Sequence, residues 1–170
     1  MSLPRRRRPS KKGRARSLRH IRFAREGGVR APLPLRLARR AVSETLRSAG
    51  RREPLDVNVV WVSAPRIRAL NRRFRSTDRG TDVISFRYDA DKEFPSPAVS
   101  GDLFVCVGRA RYNARRFHVS VEEEAVRLLV HGTLHLLGFT DYVPVEKKKM
   151  WRRQEGIVRR LGFGDAFPQI

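Results

Sequence analysis

The chain has 170 residues, 40% of them hydrophobic, enough for one domain with its own core. Its formal charge of +21 favours polyanionic partners, with nucleic acid first among them. The single cysteine, Cys106, excludes an intramolecular disulfide framework, and the lack of a long apolar run argues against a membrane partner.

Residues 1–17 open the chain with MSLPRRRRPSKKGRARS, a stretch with almost no apolar content to offset its ordering entropy. It reads as a disordered basic arm ahead of a single domain over 18–170. The alternatives are a tail that only aids solubility or a transit peptide, although an amphipathic apolar face is missing. Twelve Lys and Arg fall within the first 30 residues against one acid, Glu26. No apolar stretch follows the basic start as a secretory signal requires, so a cytoplasmic location is expected.

LRHIRF (18–23) predicts a first edge strand. Leu35, Leu37, Ala41, Val42, Leu46 and Ala49 recur near helical spacing, and Gly50 ends that helix. Leu55, Val57, Val59 and Trp61 alternate, as in a half-buried strand over 55–63. Ser63 can cap a helix whose Ile67, Leu70 and Phe74 share a face. TDVISF (81–86) is a further strand, the Pro-containing stretch after it a loop, and DLFVCV (102–107) another strand. ARYNARRF starts the next helix.

The following segment carries the clearest signals. Ser120 and Glu123 have capping-box spacing, and Glu122 to Glu124 sit where the helix dipole favours anions. AVRLLVHGTLHLL is apolar on nearly all sides, which predicts a buried helix, and Gly138 can end it. Pro144 suits the first turn of a last helix, where Met150, Ile157 and Leu161 share a face and Gly162 is the stop. The element order β-α-β-α-β-β-α-α-α implies an α+β fold with a small mixed sheet packed by helices.

His131 and His135 lie one helical turn apart, so both imidazoles face one side of that buried helix. Gly138 allows the chain to reverse, and Asp141 can return to the same side. Two imidazoles and a carboxylate with an open fourth position suit zinc in its catalytic arrangement. Asp141 has a second reading, as a cap on the last helix, and Thr140 and Tyr142 are fallback oxygen donors. Gly132 occupies the place where HExxH peptidases carry their glutamate base, which argues against peptidase chemistry.

Three blocks in order resemble the YbeY family of bacterial metal-dependent endoribonucleases of rRNA maturation. HGTLHLLGF with a downstream acid resembles the family's H-G-x-L-H-L-x-G-Y-D-H; LNRRFRSTDRGTDVISF resembles L-N-x-x-Y-R-x-x-D-x-P-T-D-V-L-S-F; GDLFVC resembles G-D-I-x-I. The likeness runs from about residue 18 to 163. It implies a four-stranded mixed sheet, a zincin-like metal site and one zinc ion per chain. It makes His131 and His135 the first two ligands and places Asp141 where the family has its third histidine. Thr140 stands for the family's aspartate, Phe74 for its tyrosine, Gly80 for a proline and Arg87 for the proline after S-F. Arg75 matches the arginine of the Y-R pair, which implies a catalytic role stabilising phosphoryl charge; its other reading is a salt bridge or a phosphate clamp.

The implied function is a zinc-dependent, single-strand-specific endoribonuclease. It would hydrolyse RNA phosphodiesters with metal-activated water, acting on rRNA of the small ribosomal subunit, with contacts to ribosomal proteins and assembly factors. A non-catalytic ribosome-associated RNA-binding factor with a structural zinc is the second reading, and a metallopeptidase a distant third. Asp82 and Ser85 are candidate cleft residues, Asp82 equally a turn residue; His118 reads as a surface histidine and Cys106 as a small core residue.

Overall fold

The computed structural model describes residues 19–50, 55–88 and 99–164. The basic arm and most of the Pro-containing loop lie outside them. The elements are β1 (Arg19–Arg25), α1 (Leu35–Ser48), β2 (Leu55–Val62), α2 (Ala64–Arg75), β3 (Val83–Tyr88), β4 (Val99–Cys106), α3 (Val107–Phe117), α4 (Val121–Leu136) and α5 (Pro144–Arg160). The expected order holds throughout. The sheet runs β1-β2-β4-β3, with β1, β2 and β4 parallel and β3 antiparallel to β4. Parallel neighbours require a crossover, which α1 supplies between β1 and β2. β1 is an edge strand, as its basic alternation suggested.

Two corrections concern the sheet. β2 was expected to bury one face, yet Val60 and Val62 are buried as well as Val57, Val59 and Trp61. The reason is α2, which crosses the second face and packs Ile67 and Leu70 against Val60, Val62, Ile84 and Cys106. β4 begins at Val99 rather than at 102, because Val99 to Gly101 continue the pairing with β2, and Ser100 and Gly101 that with β3. Gly101 permits this: a Cβ there would run into the Phe86 carbonyl and the Leu136 side chain.

α2 starts as its sequence indicates, with the Ser63 hydroxyl accepting from the Arg66 amide at 3.4 Å. Phe74, expected to share the buried face, is 55% exposed and packs edge-on to Phe86 with centroids 4.9 Å apart. α4 is the central helix, buried from Glu123 to Val130 and packed against the sheet, α1, α3 and α5. Its cap is half of the expected box. Ser120 accepts from the Glu123 amide at 3.0 Å, but the Glu123 carboxylate turns away to Arg127, also at 3.0 Å. Among the described residues no helix is long and apolar enough to cross a membrane.

Candidate metal centre

The last turns of α4 bring His131 and His135 to the mouth of a cleft of about 550 Å³, walled by β3, α4, α5 and the loop between the two helices. That loop reverses through Gly138 at φ +89°, with the Gly138 amide donating to the His135 carbonyl at 2.9 Å and the Phe139 amide to Leu134 at 3.0 Å. Such a left-handed close costs a side chain and favours glycine. Three residues on, Asp141 faces the two imidazoles. Oδ2 is 3.9 Å from His131 Nε2 and Oδ1 is 3.9 Å from His135 Nε2, so the carboxylate straddles both rings. α5 begins at Pro144 with Val143 in the N-cap position, so Asp141 does not cap that helix.

The hydrogen bonds behind the rings decide what the front can do. His131 Nδ1 lies 2.9 Å from Gln154 Oε1, and His135 Nδ1 lies 3.0 Å from the Phe139 carbonyl. Both partners are acceptors, so each neutral ring carries its proton on Nδ1 and presents a bare lone pair at Nε2. With that tautomer the two Nε2 atoms, 3.0 Å apart, both present lone pairs. Two lone pairs and a carboxylate thus converge without a donor. A cation resolves that arrangement, and His131, His135 and Asp141 are grouped so that they could hold a metal ion, with ligand atoms within 4.8 Å of one another. Burial, and then the neighbouring His131, hold His135 below its ordinary pKa, which keeps it in the metal-binding form.

The other expected residues fall as follows. Arg75, Asp82, Ser85, Thr140 and Tyr142 all line the same cleft. Arg75 is the last residue of α2, and Ser76 after it adopts a left-handed conformation. The Thr77 hydroxyl bonds back to the Arg75 carbonyl at 3.0 Å, which turns the chain away and leaves the guanidinium at the cleft. Ser85 donates to the Gly132 carbonyl at 3.0 Å, joining β3 to α4. Asp82 is more than a turn residue: it accepts from Arg109 at 2.7 Å and from Asn113 at 3.2 Å. His118 is exposed and ends α3 in a left-handed conformation. Cys106 is fully buried, and burial pushes its thiol up.

Sequence reasoning missed the wall of the cleft. Arg127 is buried at its centre, bonded to Glu155 at 3.0 and 3.2 Å, Glu123 at 3.0 Å and Glu124 at 3.3 Å. Burial pushes Glu124 up in spite of Asn113 and Arg127. Gln154 and Glu155 are buried on α5 beside the face of Met150, Ile157 and Leu161. Polar residues bordering the apolar stripe of an amphipathic helix were the available signal.

Residues 31–162 match the family model described as Endoribonuclease YbeY. Proteins named Endoribonuclease YbeY resemble the chain over most of its length. That of Desulfitobacterium hafniense is 33% identical over 75% of this chain and 85% of its own. That of Limosilactobacillus fermentum is 33% identical over 80% and 92%. A solution structure of a Thermotoga maritima protein superposes with a TM-score of 0.57 at 28% identity, covering 84% of this chain and 89% of that one.

Proposed function

The chain belongs to the YbeY endoribonuclease family, a nuclease and therefore a hydrolase by its name, and from that membership we propose a zinc-dependent endoribonuclease that cuts single-stranded RNA in rRNA maturation. The observation that carries the metal dependence is the pair of anchored Nδ1 atoms, which leaves two Nε2 lone pairs and the Asp141 carboxylate facing one point. A tetrahedral zinc with bonds of about 2.0–2.2 Å spaces its ligand atoms by about 3.4 Å. The two Nε2 atoms are 3.0 Å apart and each lies 3.9 Å from a different Asp141 oxygen, with one ligand atom per residue falling within 4.8 Å. Bound there, zinc would supply Lewis acidity to a phosphodiester and to water.

The chain's own residues do the remainder. His131, His135 and Asp141, which all line the cleft, would hold the ion. Arg75 reaches the same cleft and offers a planar fork to two non-bridging phosphate oxygens, where charge builds in the transition state. Arg87, on the same wall, adds a second positive charge for the backbone of the strand. Gly132 puts no carboxylate beside His131, so the peptidase reading has no general base.

Purified protein should cleave single-stranded RNA, lose the activity to a chelator and regain it with zinc. His131→Ala should fold and be inactive. Cleavage that persists in chelator would exclude the metal reading; zinc binding with no cleavage of any RNA would favour a structural zinc in an RNA-binding factor. Precursor rRNA cleaved no faster than unrelated single strands would remove the rRNA assignment alone.

A further inference from the structure

The polar groups behind His131 form a chain with a single direction. His131 Nδ1 lies 2.9 Å from Gln154 Oε1, Gln154 Nε2 donates to Glu155 Oε1 at 2.8 Å, and Glu155 accepts from Arg127 at 3.0 and 3.2 Å. All three partners beyond the histidine are buried, Gln154 at 7% exposure, Glu155 at 4% and Arg127 at 6%. A glutamine amide is ambiguous by itself, since either its oxygen or its nitrogen end can face a neighbour. Here an ionised carboxylate beside it can only accept, so it takes the NH2 end and leaves the oxygen for the imidazole. Arg127 donates only, and it holds Glu155 as the acceptor at the far end of the chain.

We propose that Gln154 is a positioning residue: with its amide oriented by Glu155 and Arg127, it fixes His131 as the Nδ1–H tautomer and keeps the Nε2 lone pair aimed into the cleft. The inference rests on the metal-centre reading for its consequence, though not for the tautomer itself. An imidazole without that acceptor exchanges between tautomers, and every molecule with a proton on Nε2 is closed to metal until the proton moves. His135 needs no such helper, because a backbone carbonyl, Phe139 O at 3.0 Å, plays the part. The two rings are therefore unequal: one is set by the main chain, the other by a side chain on a different helix. Gln154 lines the cleft behind His131, and its proposed effect passes through that ring.

The test is the imidazole nitrogen spectrum of the metal-free protein, read beside zinc titration and a melting curve. Wild type should show His131 protonated at Nδ1. Gln154→Leu, close in volume, should remain folded, show mixed tautomers at His131 but not at His135, and bind zinc about 10–100-fold more weakly. Glu155→Gln frees the amide to rotate and should move His131 the same way by less. A Gln154→Leu protein with the wild-type tautomer would overturn the proposal, whether or not zinc binds. The wild-type tautomer pattern in a protein that takes up no zinc would support Gln154 as the group that sets His131 while sinking the metal reading.

Discussion

A Cβ on residue 132 would lie 2.9 Å from Val83 Cγ2, 3.1 Å from Leu103 Cδ2 and 3.3 Å from Ser85 Oγ. The helix rests on the sheet at that point, so the missing glutamate is as much a packing result as a chemical one. Asp141 could be read from sequence in two ways, because its spacing from His131 and its place before Pro144 suit a ligand and a cap alike. The start of α5 at Pro144, with Val143 in the N-cap position, speaks against the cap. Asp141→Ala should therefore leave the melting temperature of the metal-free protein near wild type and strongly lower zinc affinity, with Asp141→Asn intermediate; a lowered melting temperature with unchanged zinc titration would reverse that assignment. A second residue invites a pH test. The Tyr88 hydroxyl donates to Asp102, and that bond, with burial and the carboxylate charge, raises its pKa to about 12. A pKa above its unfolded value means the stabilisation is complete below about pH 10 and lost as pH climbs through about 12. In an ultraviolet titration a tyrosine step should appear near pH 12, and Tyr88→Phe should remove it.

At the level of elements, the pattern of apolar residues was enough to order all nine and to single out α4 as the buried helix. What periodicity cannot carry is contact between distant positions. Glu122 to Glu124 read as a dipole-favoured cluster, yet Glu123 and Glu124 are drawn inward by Arg127, and Arg127 also takes Glu155 from α5, 28 residues away. The same blindness hid Gln154, 23 residues from His131, and the second buried face of β2, which depends on where α2 lies. The histidine pair of the candidate metal centre was legible because it sits within one helical turn. Arg127 ties α4 to α5 with three carboxylates, and removing it strands them away from water. Arg127→Ala should cost about 3–5 kcal/mol, seen as a lower urea midpoint with the slope unchanged. A shift no larger than that of an ordinary surface substitution would mean that the network contributes little to holding the helices together.

For the molecule as a whole, charge is the dominant fact. Twelve of the basic residues precede position 31, most of them in the arm that lies outside the described residues. If that arm holds RNA, log affinity should fall with log salt by up to about 0.7 per phosphate contact, and deleting residues 1–17 should flatten the slope without touching zinc uptake. An unchanged slope would give the arm another task. The reversal at Gly138 has its own large-scale consequence. His131 and Asp141 are only ten positions apart, and hydrogen bonds to the Leu134 and His135 carbonyls already close that stretch. Since loop-closure entropy grows with loop length, an ion held there ties down little chain that is not already tied. Stripping it should loosen the neighbourhood rather than the fold. In deuterium exchange, amides of residues 140–143 should open quickly in the chelated protein, while those in the buried half of α4 keep the slow rates set by global unfolding.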